Sequence, residues 1–116
     1  MPISIYHNPR CSKSRQTLQI LHDQGHEPTI IEYLKTPPDE VTLSGLLVML
    51  GVEPIDIMRT NEPEYRAAAD EIGAMDPDGQ IRWLAGNPKV LQRPIVIHGS
   101  KARIGRPPEA VLEILT

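Results

Sequence analysis

The sequence has a single cysteine, Cys11, and no phenylalanine, with only three tyrosines and one tryptophan among its 116 residues. One cysteine cannot form an internal disulfide, so the fold does not depend on an oxidising compartment. Because aromatic side chains are scarce, the core must be filled by Ile, Leu, Val, Ala and Met. The four histidines are scattered without metal-ligand spacing, which argues against a structural zinc site.

A basic surplus and a long apolar run are also missing. The formal net charge is -3, whereas a general nucleic-acid or membrane-surface binder needs positive charge to meet phosphates or anionic lipid. No apolar run approaches the ~20 residues of a membrane span, and no signal-peptide pattern is evident. We therefore expect one cytoplasmic, monomeric domain over residues 1–116 that binds neither nucleic acid nor membrane.

The cysteine lies where a strand-like segment gives way to a helical pattern. Residues 3–6 are typical of a short buried strand, and apolar side chains recur at helical spacing from Leu18 until Gly25. Cys11 is therefore predicted at a helix N-terminus, where unpaired N–H groups and the helix dipole stabilise a thiolate or a bound oxyanion. The cationic or imidazole side chains around it are His7, Arg10, Lys13 and Arg15. This setting predicts a nucleophilic thiol at neutral pH.

Other roles for Cys11 can be tested on spacing. A phosphatase loop needs an arginine six positions after the cysteine, where this chain has Thr17. A redox C-x-x-C pair needs a second cysteine, where it has Ser14. A buried apolar thiol, the usual fate of a free cysteine, leaves the surrounding basic side chains unexplained. Since the chain has no second cysteine, an external thiol must resolve any Cys11 adduct.

The middle of the chain is predicted to be mostly helical. Residues 29–34 are β-branched and apolar and indicate a second strand, parallel to the first. Thr42 is the candidate cap of a leucine-rich helix that stops at Gly51. Asp76 and Pro77 are typical of a helix start. The further helical segments are expected at 55–58, 63–72, 76–84 and 87–92.

Residues 93–98 carry the strongest strand signal, and Gly99 begins a tight turn into a fourth strand at 102–104. A last helix is expected to bury Val111, Leu112 and Leu115. The order β-α-β, a helical insertion at about 38–92, then β-β-α is that of the α/β thioredoxin-like fold with a small mixed sheet. A proline entering the third strand of that fold is cis and lies beside the catalytic cysteine, which makes Pro94 the cis-proline candidate.

Several different short motifs are spread along the whole chain. They are His7-Asn8-Pro9-x-Cys11 with Ser14-Arg15, Glu27-Pro28-Thr29, Tyr33-Leu34, Pro37-Pro38, Arg59, Asn87-Pro88, Arg93-Pro94-Ile95-Val96 and Gly105-Arg106-Pro107-Pro108-Glu109. With these motifs the chain resembles the glutaredoxin-coupled arsenate reductase family (ArsC/Spx-like), and in character its shorter, less characterised members. The match runs nearly from end to end, so the set is far more specific than any single motif.

The resemblance implies an oxidoreductase that reduces arsenate to arsenite with Cys11 as the nucleophile. The implied activating and positioning residues are His7, Asn8, Ser14 and Arg15, and the implied oxyanion-binding residues are Arg59, Arg93 and Arg106. Glutathione and glutaredoxin are the implied external reductants, with glutathione as co-substrate and no bound cofactor or metal. Guanidinium groups suit the anion because they bind its oxygens through bidentate, charge-assisted hydrogen bonds.

One departure from the family pattern follows the cysteine. The family's characterised arsenate reductases have Gly-Thr there, whereas this chain has Ser12-Lys13. Two alternatives stay open: a glutathione-dependent thiol oxidoreductase of the same fold acting on another substrate, and a non-enzymatic RNA-polymerase-binding regulator. Such regulators usually carry a C-x-x-C redox switch, which Ser14 removes, and the retained arginines have no evident purpose in that role.

Overall fold

The computed structural model describes residues 2–115, so the two terminal residues of the predicted 1–116 domain lie outside it. The strands are β1 (Ile3–His7), β2 (Thr29–Glu32), β3 (Ile95–His98) and β4 (Lys101–Ile104). The α-helices are α1 (Ser12–Asp23), α2 (Glu40–Leu50), α3 (Pro63–Ala74) and α4 (Pro77–Ala85), and 3-10 helices span Pro54–Ile57, Pro88–Val90 and Pro108–Ile114. The chain forms two compact units, one containing the described residues up to Thr36 and from Arg93 onward, the other Pro37–Gln92.

The first unit is built on a four-stranded mixed sheet with the order β2-β1-β3-β4. β1 runs parallel to β2, with Ile5 opposite Ile30, and antiparallel to β3, with Ile5 opposite Val96. β3 and β4 form the antiparallel hairpin that the sequence predicts, with Gly99 at a positive φ of 63° in its turn. The predicted α/β class and mixed thioredoxin-like sheet are therefore confirmed.

Apolar side chains of β1, α1, β3 and the last helix form the core of this unit. Its buried members are Ile3, Ile5, Leu21, Val96, Val111 and Ile114. The last helix is of the 3-10 type, with three residues per turn, so its buried side chains recur every third position at Pro108, Val111 and Ile114. The expectation that Leu112 would be buried is wrong, because that residue lies off this stripe and is 39% exposed.

Two predicted boundaries on either side of Thr36 are corrected. β2 ends at Glu32 instead of continuing to residue 34, because the Lys35 and Thr36 amides donate to the Glu32 carbonyl at 2.9 and 3.0 Å and turn the chain. The cap of α2 is Asp39 and not Thr42. The Asp39 carboxylate accepts the Thr42 amide at 2.8 Å, which starts the helix earlier and places Thr42 in its first turn.

The second unit, Pro37–Gln92, holds the predicted helical block. α2 ends at Gly51 with a φ of 70°, and Asp76 caps α4 by accepting the Gly79 amide at 2.7 Å, both as predicted. Met58 and Leu91 form an isolated antiparallel bridge within this unit. None of the described helices is long and apolar enough to cross a membrane.

Candidate active site

Cys11 is the N-cap of α1, as its sequence context predicts. β1 ends at His7, three residues of loop follow, and Cys11 keeps an extended backbone before the helix begins at Ser12. The Cys11 amide donates to the Asn8 carbonyl, and the Arg15 amide donates to the Cys11 carbonyl, both at 3.0 Å. The thiol is half-buried. A partly accessible sulfur thus lies at the positive end of a twelve-residue helix.

A buried hydrogen-bonded group fixes this helix start. Ser14 is fully buried and His7 is 6% exposed. The Ser14 hydroxyl oxygen accepts the Asn8 amide at 3.0 Å and lies 2.6 Å from His7 Nδ1. The hydroxyl has one proton, and donating it to Nδ1 satisfies both groups when the imidazole carries its own proton on Nε2. Ser14 therefore ties the end of β1 and the loop to the first turn of α1.

His7 is held in its neutral form. Burial lowers the pKa of His7 below its ordinary value of 6.5; the Glu32 carboxylate opposes this shift, and the Arg15 guanidinium adds to it. At neutral pH the imidazole is therefore mostly uncharged, and His7 adds little to the positive charge expected around Cys11. Its contact with Ser14 is of the kind that the implied positioning role requires, and that role stays a prediction.

Asn8 and Arg15 shape the loop that precedes the cysteine. The Asn8 side-chain oxygen accepts the Arg10 amide at 3.0 Å, which closes a tight turn. Arg15 Nη1 donates to the Pro9 carbonyl at 2.9 Å. A guanidinium has five N–H donors, so Arg15 can hold the loop and still offer donors to an anion.

Arg106 brings a guanidinium to the thiol from the other end of the chain. Its Nη2 lies 3.7 Å from Cys11 Sγ, and its Nε donates to the Arg93 carbonyl at 2.8 Å. The Arg93-Pro94 peptide bond is cis, the geometry that the fold implies there, and the Arg106-Pro107 bond, which the sequence did not single out, is cis as well. A guanidinium at this distance can donate to the sulfur, and the Arg93 carbonyl helps to hold it there; the predicted oxyanion-binding roles of Arg93 and Arg106 stay predictions.

The chain leaving β4 approaches α1 closely at Gly105. A Cβ atom at this position would lie 2.5 Å from Thr17 Oγ1 and 2.7 Å from Pro94 Cγ. The Gly105 amide also donates to the Pro94 carbonyl at 2.9 Å. Thr17 itself is fully buried. Only glycine fits here, and this contact sets the position of the following residue, Arg106.

Arg59 belongs to the second unit. Its guanidinium forms an ion pair with Glu62, and its amide donates to the Val90 carbonyl at 2.6 Å. Its side chain is 25% exposed. These contacts of Arg59 all lie within that unit, so its predicted role in oxyanion binding stays a prediction.

A crevice of about 320 Å³ opens beside the cysteine loop, at the carboxyl ends of the parallel strands β1 and β2. Its lining residues are His7, Asn8, Pro9, Arg10, Glu32, Leu34 and Lys35. Glu32, Leu34 and Lys35 were not predicted as site residues. The signal that points to them is the parallel pairing itself, because ligands of open α/β sheets bind beyond the carboxyl ends of the strands.

Among residues 2–115 there is no cluster of three or more His, Cys, Asp or Glu side chains arranged to hold an ion. What the geometry offers is a thiol at a helix N-terminus with a guanidinium beside it. That combination suits nucleophilic attack on an oxyanion.

Comparison with known proteins places the chain among close relatives over its whole length. The ArsC family matches residues 6–114. YfgD of Escherichia coli, described as uncharacterized, is 46% identical over 97% of this chain and 96% of its own. An arsenate reductase of Haemophilus influenzae is 39% identical over 99% of this chain and 100% of its own. The solved structure of an arsenate reductase from Vibrio cholerae, 44% identical, matches 99% of this chain and 98% of its own with a TM-score of 0.94.

Proposed function

This chain belongs to the ArsC family, and we propose that it is an oxidoreductase that reduces arsenate to arsenite, with Cys11 as the nucleophile. The observation that carries the proposal is the 3.7 Å contact between Arg106 Nη2 and Cys11 Sγ at the start of α1. Relatives named arsenate reductase that align over the whole chain support the choice of substrate.

The first step is attack of the Cys11 sulfur on arsenic. Arsenate carries negative charge on several oxygens, which repels a thiolate unless cationic donors neutralise it. Arg106, the donors left on Arg15 and the first amides of α1 provide that neutralisation. An S–As bond forms, and one arsenate oxygen leaves as water after protonation. Arsenic is still pentavalent in this adduct.

The remaining steps need thiols from outside the chain, since Cys11 is its only cysteine. Glutathione displaces Cys11 from arsenic, and glutaredoxin supplies the second thiol. Over one cycle two external thiols become one disulfide, arsenic gains two electrons and arsenite is released. No bound cofactor is needed for this sequence. A cytoplasmic monomer, in a compartment that keeps thiols reduced, is part of the proposal.

Arsenate-dependent NADPH oxidation, coupled through glutathione, glutaredoxin and glutathione reductase, tests the proposal. Cys11→Ser should abolish the rate. Arg106→Ala should lower kcat/KM for arsenate by about 10²-fold or more, the usual loss for one oxyanion donor. The matched control is Arg103→Ala, which removes an exposed arginine of β4 that pairs with Glu113 at 2.8 Å. An undiminished rate in Cys11→Ser would overturn the proposal.

One observation favours a second candidate. The Ser12-Lys13 pair replaces the Gly-Thr of characterised arsenate reductases directly after the cysteine. A glutathione-dependent thiol oxidoreductase acting on another substrate would keep Cys11, its helix and the external thiol but not arsenate turnover. Cys11-dependent reduction of a glutathione mixed disulfide, measured without any arsenate turnover, would favour this candidate.

A further inference from the structure

The crevice beside the cysteine loop takes no part in the arsenate step described above. Cys11 and Arg106 are not among the described residues that line it, whereas Arg10, bonded directly to Cys11, is. Consecutive Cα atoms lie about 3.8 Å apart, so the lining of the crevice extends to the backbone position next to the nucleophile. Its volume of about 320 Å³ is at the lower end of the range for small-molecule sites.

The lining combines opposite charges with an apolar surface. Arg10 and Lys35 are cationic, Glu32 is anionic, and Leu34 presents a side chain that is 43% exposed. Lys35 Nζ lies 3.6 Å from Glu32 Oε1, and these side chains are 76% and 40% exposed. An exposed pair of this kind contributes little to stability. The charges of a ligand can therefore replace it at small cost.

These features complement a small zwitterionic peptide better than an inorganic oxyanion. Carboxylates would be met by Arg10 and Lys35, and an ammonium group by Glu32. Arsenate has no cationic group for Glu32, whose carboxylate would repel it. The chain as a whole is anionic, with a net charge of -3, so the two cations are a local feature of this surface.

We propose that this crevice binds glutathione and places its sulfur beside Cys11, where it can reach either the Cys11 sulfur or a group bound to it. The identity of the thiol rests on the proposed function; the charge pattern of the crevice does not. In thiol exchange, the Cys11 thiolate attacks one sulfur of glutathione disulfide. A Cys11–glutathione disulfide forms, the original S–S bond breaks and one glutathione thiolate leaves with the electron pair.

The test compares two disulfides in reaction with Cys11 in the absence of arsenate. Glutathione disulfide carries the charges that the crevice recognises, and 2-hydroxyethyl disulfide carries none. The readout is the ratio of the two exchange rates, followed by mass spectrometry of the intact protein. In Lys35→Glu and Arg10→Glu this ratio should fall by about three- to tenfold each, as expected for reversing one exposed charge contact.

A charge-matched control separates binding in the crevice from the general electrostatic field of the protein. Lys101→Glu reverses an exposed charge on β4, and Lys101 does not line the crevice. This variant should keep the wild-type ratio. An unchanged ratio in Lys35→Glu and Arg10→Glu, or an equal fall in Lys101→Glu, would overturn the crevice proposal. Charge-selective exchange without arsenate turnover would instead uphold the crevice and overturn the proposed arsenate reduction.

Discussion

At the scale of single residues, protonation of His7 makes the stability of the folded protein depend on pH. Its pKa in the folded protein is lowered by burial, whereas the unfolded chain binds a proton near the ordinary value of 6.5. As the pH falls below 6.5, the unfolded state takes up a proton that the folded state rejects. The free energy of unfolding should therefore decrease on acidification from that pH until the folded pKa is reached.

His7→Asn tests this expectation, because an amide can still accept the Ser14 hydroxyl but does not titrate. The wild type should lose stability between pH 7 and pH 5 more steeply than the variant, measured by urea unfolding at each pH. The other histidines are present in both proteins, so their contributions cancel in the difference between the two free energies of unfolding. If both free energies change with pH in parallel, His7 titrates alike in the folded and unfolded states and the expectation is wrong.

The residues of the cysteine loop could be predicted because they lie close together in sequence. Strand, loop and helix signals place Cys11, Ser14 and Arg15 at one helix start without knowledge of the tertiary structure. The charge of His7 could not be predicted in this way, since it depends on burial. The contact of Arg106 with Cys11, between residues far apart in sequence, was implied only by family resemblance.

At the scale of elements, β4 and α1 meet through Gly105. Gly105→Ala would place a Cβ 2.5 Å from Thr17 Oγ1, whose position is fixed by a 2.8 Å hydrogen bond to the Lys13 carbonyl. The ring of Pro94, at 2.7 Å, cannot rotate away either. We expect a loss of about 1–3 kcal/mol in the free energy of unfolding. Activity should also fall, because Arg106 is displaced from the thiol.

Gly45→Ala in α2 is the matched control for that substitution. A Cβ there meets no described heavy atom within 4 Å outside its own helix backbone and chain neighbours. Alanine is a better helix former than glycine, so this variant should gain up to about 1 kcal/mol. Thermal unfolding of both variants gives the comparison. Similar stability changes in the two would contradict the close packing inferred at Gly105.

The helices and strands could be predicted where neighbouring residues determine their ends, and could not where helix type or strand pairing determines which residues are buried or close together. Asp76-Pro77 and Gly51 mark helix ends because a cap and a positive φ need those residue types. Leu112 was misplaced because apolar spacing does not distinguish a 3-10 helix from an α-helix over two turns. The Glu32–Lys35 side of the crevice was missed because only strand pairing brings it to the loop.

At the scale of the whole molecule, the first unit is assembled from both ends of the chain. β1 pairs with β3 although the long segment Pro37–Gln92 lies between them in the sequence. If that segment were unfolded, closing it would cost about 3–4 kcal/mol of chain entropy. Folding of the second unit before the sheet closes would reduce this cost. Such a coupling would make the chain unfold as one domain, which stays a prediction of the sequence.

Two probes can follow the units separately during urea unfolding. Trp83, the only tryptophan, reports on the second unit through its fluorescence. A cysteine at the fully buried Val96, introduced in a Cys11→Ser background, reports on the first unit through pulsed thiol labelling. A single cooperative domain requires the two midpoints to coincide.

A mildly destabilising substitution in the second unit gives each unfolding midpoint an expected direction of change. Ile72 is fully buried in α3, and Ile72→Val should cost about 0.5–1.5 kcal/mol through one lost methylene. If the units unfold together, both midpoints move down by the same amount, although Val96 lies in the sheet of the first unit. A shift seen by Trp83 alone would mean that the second unit unfolds independently, and the prediction of a single domain would be wrong.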